Sequence, residues 1–218
     1  MLAFLVRLFN MLIGLALYAA GIAAMIKANI GYAPWEVFHV GLAHTTGLTI
    51  GTASIVAGIV IVVIVTVSGE KLGLGTIASM VLTGVFLDII LFAGFIPVAV
   101  NLAMGIIMLI AGMFTIALGS YFYIKSAFGV GPRDNLMVAL ARKTKIPVGV
   151  CRFIVELVVT FAGWLLGGMV GIGTVISVFA IGACVQVTFG VLKFDVTKVK
   201  HETLGETFSR LAGKGNLR

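Results

Sequence analysis

Shifted by 98 positions, this sequence matches itself without a gap: residues 31–88 fall on residues 129–186. Gly31, Gly51, Gly69, Gly73, Gly75 and Gly84 land on Gly129, Gly149, Gly167, Gly171, Gly173 and Gly182, six coincidences among nine glycines in each window. Pro34 lands on Pro132, Thr76 on Thr174, Ser79 on Ser177, and the acid Glu36 on the acid Asp134. Further back, Gly14, Gly21 and Lys27 meet Gly112, Gly119 and Lys125. The chain must therefore build the same unit twice. In an apolar chain, a duplicated unit is the usual construction of a membrane transporter, with a site where the halves meet.

The chain is apolar enough for that reading. Of its 218 residues 61% are hydrophobic and 11% charged, against about 25% charged in a soluble domain. Apolar runs of about 18 residues or more follow one another, as transmembrane helices require. They show no alternation of the kind a membrane β-barrel needs. The net charge of +7 reports orientation, not nucleic-acid binding.

Six spans are expected near 6–28, 50–68, 76–96, 100–124, 147–167 and 173–193. The first span could pass for a signal peptide, but its likeness recurs at 105–124, so it reads as a retained helix. Each half is a span, a short helix, a second span, a Gly-rich turn and a third span. The short segments, 33–47 and 131–145, start with Pro, which suits a first helical turn. They are too short and too polar to cross a bilayer, so they either lie on its surface or re-enter it. Residues 1–98 form the first repeat, 99–194 the second, and 195–218 a tail with an amphipathic stretch at 204–211.

Charge orients the chain. With the N-terminus cytoplasmic, the outer connections (29–49, 97–99 and 168–172) hold no Lys or Arg. The inner connection holds Lys125, Arg133, Arg142, Lys143 and Lys145, and the tail adds Lys193, Lys198, Lys200, Arg210, Lys214 and Arg218. This is a positive-inside pattern with both termini in the cytoplasm. Three spans per half then force the second half to enter from the opposite side, giving an inverted 3+3 repeat.

Several polar residues could carry chemistry. Gly31, Pro34, Gly129, Gly131 and Pro132 would form two helix starts whose free amides point inward from opposite faces. Glu36 and Asp134 follow; they either stabilise the helix dipoles or contact a ligand, and Arg133 lies beside Asp134. Arg152 and Glu156 stand i,i+4 on the fifth span and can neutralise each other. They serve either as a packing pair or as a substrate or proton site. Their repeat partners, Ser54 and Gly58, are uncharged, so this pair breaks the symmetry. Asp88, a lone acid in the third span, and its repeat partner Gln186 in the sixth are further candidates for binding or coupling.

His39 and His44 fall on the first short helix near its wet face, where their spacing does not make a metal pair. Trp35, Tyr32 and Phe38 crowd the same segment, as interfacial anchors or as a stacking surface. Ala16, Ala20 and Ala24 recur every fourth residue with Gly14 and Gly21, a spacing that permits close helix packing or docking of another subunit. Cys151 and Cys184 pair with Ala53 and Phe86 in the repeat, so they read as apolar fillers. No P-loop, HExxH, CxxC or GxSxG is present, so neither an enzyme nor a cofactor is expected.

The segments GYAPWE with GLTIGTASIVAGI, GVGPRDNLMVAL with IPVGVCRFIVE, and the GLGT and GIGT turns resemble the YczE/YyaS/YitT group of small bacterial membrane proteins. The resemblance covers roughly residues 10–193. In the first copy Ala33 stands where a second glycine would, and Glu36 replaces Asp. The resemblance implies a small multi-pass protein of the bacterial plasma membrane and carries no assigned substrate. Residue pattern and resemblance together lead to an expected secondary transporter of a small polar or charged solute. The alternatives are a substrate-binding subunit of a larger uptake complex, or a membrane accessory factor; a homodimer or a partner subunit fits any of these.

Overall fold

A computed structural model describes residues 2–70 and 72–211, with the side chains of residues 2, 3 and 208–211 left aside. Lys214 and Arg218, and the side chain of Arg210, thus lie outside the described residues. The described chain is all helical: α1 (Leu2–Lys27), α2 (Pro34–Thr46), α3 (Ile50–Val67), α4 (Leu74–Ala93), α5 (Leu102–Lys125), α6 (Pro132–Thr144), α7 (Val148–Leu165), α8 (Ile172–Val191) and α9 (Leu204–Leu211), with one 3₁₀ turn at Val196–Lys198. Six of these, α1, α3, α4, α5, α7 and α8, are long and apolar enough to cross a membrane.

The helix ends follow local chemistry. Pro34 and Pro132 open α2 and α6, with Glu36 and Asp134 in their first turns. The Thr49 hydroxyl accepts from Thr52 N–H and starts α3. Asn101 Oδ1 accepts from Met104 N–H and starts α5 at 102 rather than 100. Gly94, left-handed at φ 70°, ends α4 three residues before the expected limit.

Glycines set how closely the helices approach. A Cβ on Gly14 would stand 2.8 Å from the Gly119 carbonyl oxygen, and one on Gly21 would stand 2.6 Å from that of Gly112. The converse distances, from Gly119 to Gly14 and from Gly112 to Gly21, are 2.7 and 2.8 Å. The two contacts run in opposite chain order, so α1 and α5 cross antiparallel with backbone against backbone. Close packing at small residues is the main means of association inside a bilayer. The expected stripe Ala16–Ala20–Ala24 is only half-buried; the alanines sealed in this contact region are Ala19 and Ala23. In addition, α1 packs on α4, α5 on α8, and α3 on α4.

The turns before the short helices are pinned by the same device. Gly31 (φ 108°) presses against Gly171, and Gly129 (φ 129°) against Gly73. Gly173 N–H donates to Ile30 O, and Gly75 N–H to Phe128 O, each at 2.7 Å. Side chains at 31 and 129 would meet both a disfavoured backbone and a neighbouring chain.

The short helices do not lie on the surface. α2 packs between α3 and α7, burying Pro34, Trp35, Glu36, Val37, His39, Gly41 and Ala43. α6 packs against α3 and α7 from the other end of the bundle. Its C-terminal Arg142 reaches Ser68 O and Glu70 beyond α3, while Thr45 near the end of α2 donates to Leu166 O beyond α7. The tail is not free either. Glu202 pairs with Arg7 at 2.7 Å and its N–H donates to Ala127 O, while Leu204 N–H donates to Leu72 O.

Candidate functional site

Because α2 and α6 come in from opposite ends, their N-termini meet inside the bundle. Arg133 in the first turn of α6 lies 3.6 Å from Glu36 in the first turn of α2. Its guanidinium carbon also stands 4.7 Å from the centroid of the Trp35 ring. Glu36 is buried, with 8% of its side chain accessible. Burial pushes its carboxyl above the ordinary carboxylate range, and Arg133 opposes that rise. Two helix N-termini add partial positive charge at the same place.

The α7 pair joins this group. Arg152 Nε donates to Glu156 Oε1 at 2.8 Å. Glu156 is close enough to Glu36 for the two carboxylates to repel. Asp134 lies within electrostatic reach of both Arg152 and Arg133. It makes no ion pair among the described residues. The fold thus gathers Glu36, Arg133, Asp134, Arg152 and Glu156, three acids and two guanidiniums.

Around them stand Tyr18, which no sequence motif marks, and residues of α2 that were expected nearer the surface. Tyr18 of α1 is an electrostatic neighbour of Arg133, Glu36, Asp134 and Arg152. Nothing in the pattern of α1 distinguishes it, since its relation to the cluster comes only from the α1–α5 crossing. His39 was expected on a wet face; it is 2% exposed, and burial with Arg133 nearby holds its imidazole well below the usual range, hence neutral. His44 is exposed. Trp35 is buried against Arg133 rather than anchored at an interface.

Gly131 caps α6, accepting from Asn135 N–H, and Ala33 does the same for Val37 on α2. A Cβ on Gly131 would meet only Asp134 Oδ2, at 3.6 Å, so the first copy accommodates alanine there. Thr76 donates to Val130 O and fixes the approach to α6.

Two candidates lie elsewhere. Asp88 Oδ1 accepts from Gly51 N–H at 2.8 Å and Oδ2 from the Thr49 hydroxyl at 2.5 Å. It ties α4 to the first turn of α3 and is not in the charged cluster. Gln186 is exposed on α8.

Comparison with known proteins gives the chain a family. Residues 5–189 match the model of the family of unknown function DUF6198. The chain is 36% identical over 174 residues to the "Uncharacterized membrane protein YczE" of Bacillus subtilis, covering 78% of this chain and 79% of that one. It is 31% identical over 176 residues to an "Uncharacterized protein" of Haemophilus influenzae, covering 81% and 80%. It is 26% identical over 169 residues to the "Uncharacterized protein YyaS" of Bacillus subtilis, covering 76% and 84%. No solved structure matches. The six apolar helices and a match that reaches into all of them make this chain a multi-pass membrane protein of the DUF6198 family, similar to YczE and YyaS.

Proposed function

We propose that the chain is a secondary transporter of the bacterial plasma membrane that moves a small polar or charged solute by alternating access. Its halves, residues 1–98 and 99–194, are inverted repeats, and both termini are cytoplasmic. The observation that carries this reading is the meeting of α2 and α6. Two short helices entering from opposite ends bring their N-termini, with Glu36 and Arg133, to one interior point. Half-helices with that arrangement form midplane sites in secondary transporters.

Support also comes from the pairing of contacts. Under the 98-residue shift, Gly14–Gly119 becomes Gly112–Gly21, Gly31–Gly171 becomes Gly129–Gly73, and the Gly173–Ile30 hydrogen bond becomes Gly75–Phe128. Each contact exchanges with its mate, as a two-fold axis between α1 and α5 requires. The cluster holds one more carboxylate than guanidinium, which suits a solute or coupling ion bearing positive charge. Basic residues at the Arg7 and Arg142 end suit a cytoplasmic location for that end.

The test is uptake of labelled amino acids, amines and small organic ions into proteoliposomes, with and without an imposed proton gradient. Gradient-driven accumulation of one of them, lost in Glu156→Gln and Arg133→Gln, is the expected result. Accumulation that is unchanged in both variants would remove the cluster from the mechanism.

A further inference from the structure

The helices α3 and α7 hold the same place in the two halves, yet only α3 is shut against its neighbour. Gly51 of α3 seats on the Gly84 carbonyl of α4, and a Cβ on Gly84 would stand 2.6 Å from both the Gly51 carbonyl oxygen and Ile55 Cγ1. Two turns along, a Cβ on Gly58 would lie 3.5 Å from Met80 Cβ. Asp88 completes the seam by accepting from Gly51 N–H and the Thr49 hydroxyl.

Moved by 98 positions, the same seam would run through Gly149, Gly182, Phe153, Glu156, Val178 and Gln186. None of it is closed. No neighbouring atom lies within 4 Å of where a Cβ would sit on Gly149 or Gly182. Both glycines and Gln186 are exposed, and Phe153 is half exposed. Of the apolar stretch of each span, 33% is buried in α3 and only 11% in α7. A helical glycine costs about 1 kcal/mol relative to alanine. In this arrangement Gly149 and Gly182 bring no close approach to offset that cost.

Resting on the inverted-repeat transporter reading, we infer that the α3–α4 and α7–α8 seams are two gates of one design, the first shut and the second open, and that α7 closes on α8 at Gly149–Gly182 in the opposite state. Arg152 and Glu156 stand on the α7 wall of the open seam, so the gap leads to the charged cluster. By the proposed orientation it opens to the cytoplasm. Closure would bring Glu156 against Val178 as Gly58 meets Met80. Arg152 travels with it and keeps the carboxylate compensated.

The latches differ in strength. Asp88 holds its gate through a carboxylate with two donors. At the other gate, once closed, Gln186 would offer a neutral amide oxygen to Gly149 N–H, and Pro147 stands where Thr49 supplies the second donor. Two hydrogen bonds hold the first latch and one the second, each worth about 1 kcal/mol, so the state with α3–α4 shut is the favoured one.

Cysteine pairs test this in membranes containing the full chain with Cys151→Ser and Cys184→Ser. The Cβ spacing of Gly58→Cys/Met80→Cys falls in the range of a disulfide, and the clash at Gly58 is with the side chain being shortened. This pair should oxidise fast. Glu156→Cys/Val178→Cys should oxidise about 10- to 1,000-fold more slowly, since a minor conformer is about 0.1–10% populated. Asp88→Ala should speed the second pair about tenfold by weakening the opposing latch. Phe153→Cys/Gly182→Cys repeats the measurement where Glu156 is intact.

The gate is overturned if neither α7–α8 pair ever closes while the α3–α4 pair does, or if both seams oxidise equally fast. Accessibility tags at positions 47 and 145, in the exposed turns after α2 and α6, keep the two ideas apart. Tags on opposite sides with unclosable α7–α8 pairs would remove the gate alone. Tags on one side would remove the inverted repeat itself.

Discussion

The guanidinium of Arg133 stacks on Trp35, 4.7 Å from the ring centroid, although the two residues are 98 positions apart and begin two helices that enter from opposite ends. That contact and the Glu36 pair next to it hold the N-termini of α2 and α6 together. Trp35 gives the cation a face that needs no counter-charge.

Removing Arg133 leaves Glu36 buried without a partner. Arg133→Met is expected to cost about 1–3 kcal/mol, the penalty for leaving a buried polar group unsatisfied, since Arg133 itself is partly exposed. Glu36→Gln with Arg133→Met should recover most of that loss. Thermal unfolding in detergent, followed by Trp fluorescence, measures both. Equal melting temperatures for the single and double variants would contradict the pairing.

His39 gives a pH dependence of definite sign. Burial lowers its pKa well below the ordinary 6.5, so between the lowered value and 6.5 the unfolded chain binds a proton that the folded protein refuses. Its contribution to stability is present above pH 6.5 and is lost as pH falls through the folded value. Glu36, whose pKa is raised, acts with the opposite sign, so the comparison must be between variants. His39→Gln is expected to flatten the acid side of the wild-type stability curve. Parallel curves for the two proteins would show that His39 titrates freely.

Alanine substitutions should sort the glycines by contact. Gly21→Ala places a Cβ within 2.6 Å of a carbonyl oxygen on α5 and should destabilise by about 1–3 kcal/mol. Gly51→Ala collides with α4 in the same way. Gly149→Ala and Gly182→Ala meet nothing within 4 Å and should leave the melting temperature unchanged or higher. A loss at Gly149 equal to that at Gly51 would mean that the α7–α8 seam is closed in the resting protein.

Arg7 fastens the tail. Its Nε donates to Ser126 O, its Nη1 pairs with Glu202, and its guanidinium lies 4.4 Å from the Phe128 ring centroid. Arg7→Ala should release residues around 196–204 and speed tryptic cleavage after Lys198 and Lys200 several-fold, with the spans intact. Cleavage at the wild-type rate would show that the backbone bonds of Glu202 and Leu204 suffice.

The sequence by itself determined six spans, two Pro-initiated short helices and their 98-residue correspondence, because apolar runs, Pro and Gly act over a few neighbouring residues. It also selected Glu36, Arg133, Asp134, Arg152 and Glu156, because charge in so apolar a chain is costly and stands out. Only the tertiary structure decided that these five meet, since their meeting depends on the glycine contacts between α1 and α5 and on α2 lying between α3 and α7. Tyr18 and the burial of His39 follow from that same packing and leave no mark on local pattern. Asp88 marks the limit of reading charge alone. A lone acid in an apolar run looks like a coupling site, and the fold gives it the first turn of α3 to hold, because the unpaired amide of Gly51 and the Thr49 hydroxyl come within its reach only when α3 and α4 pack.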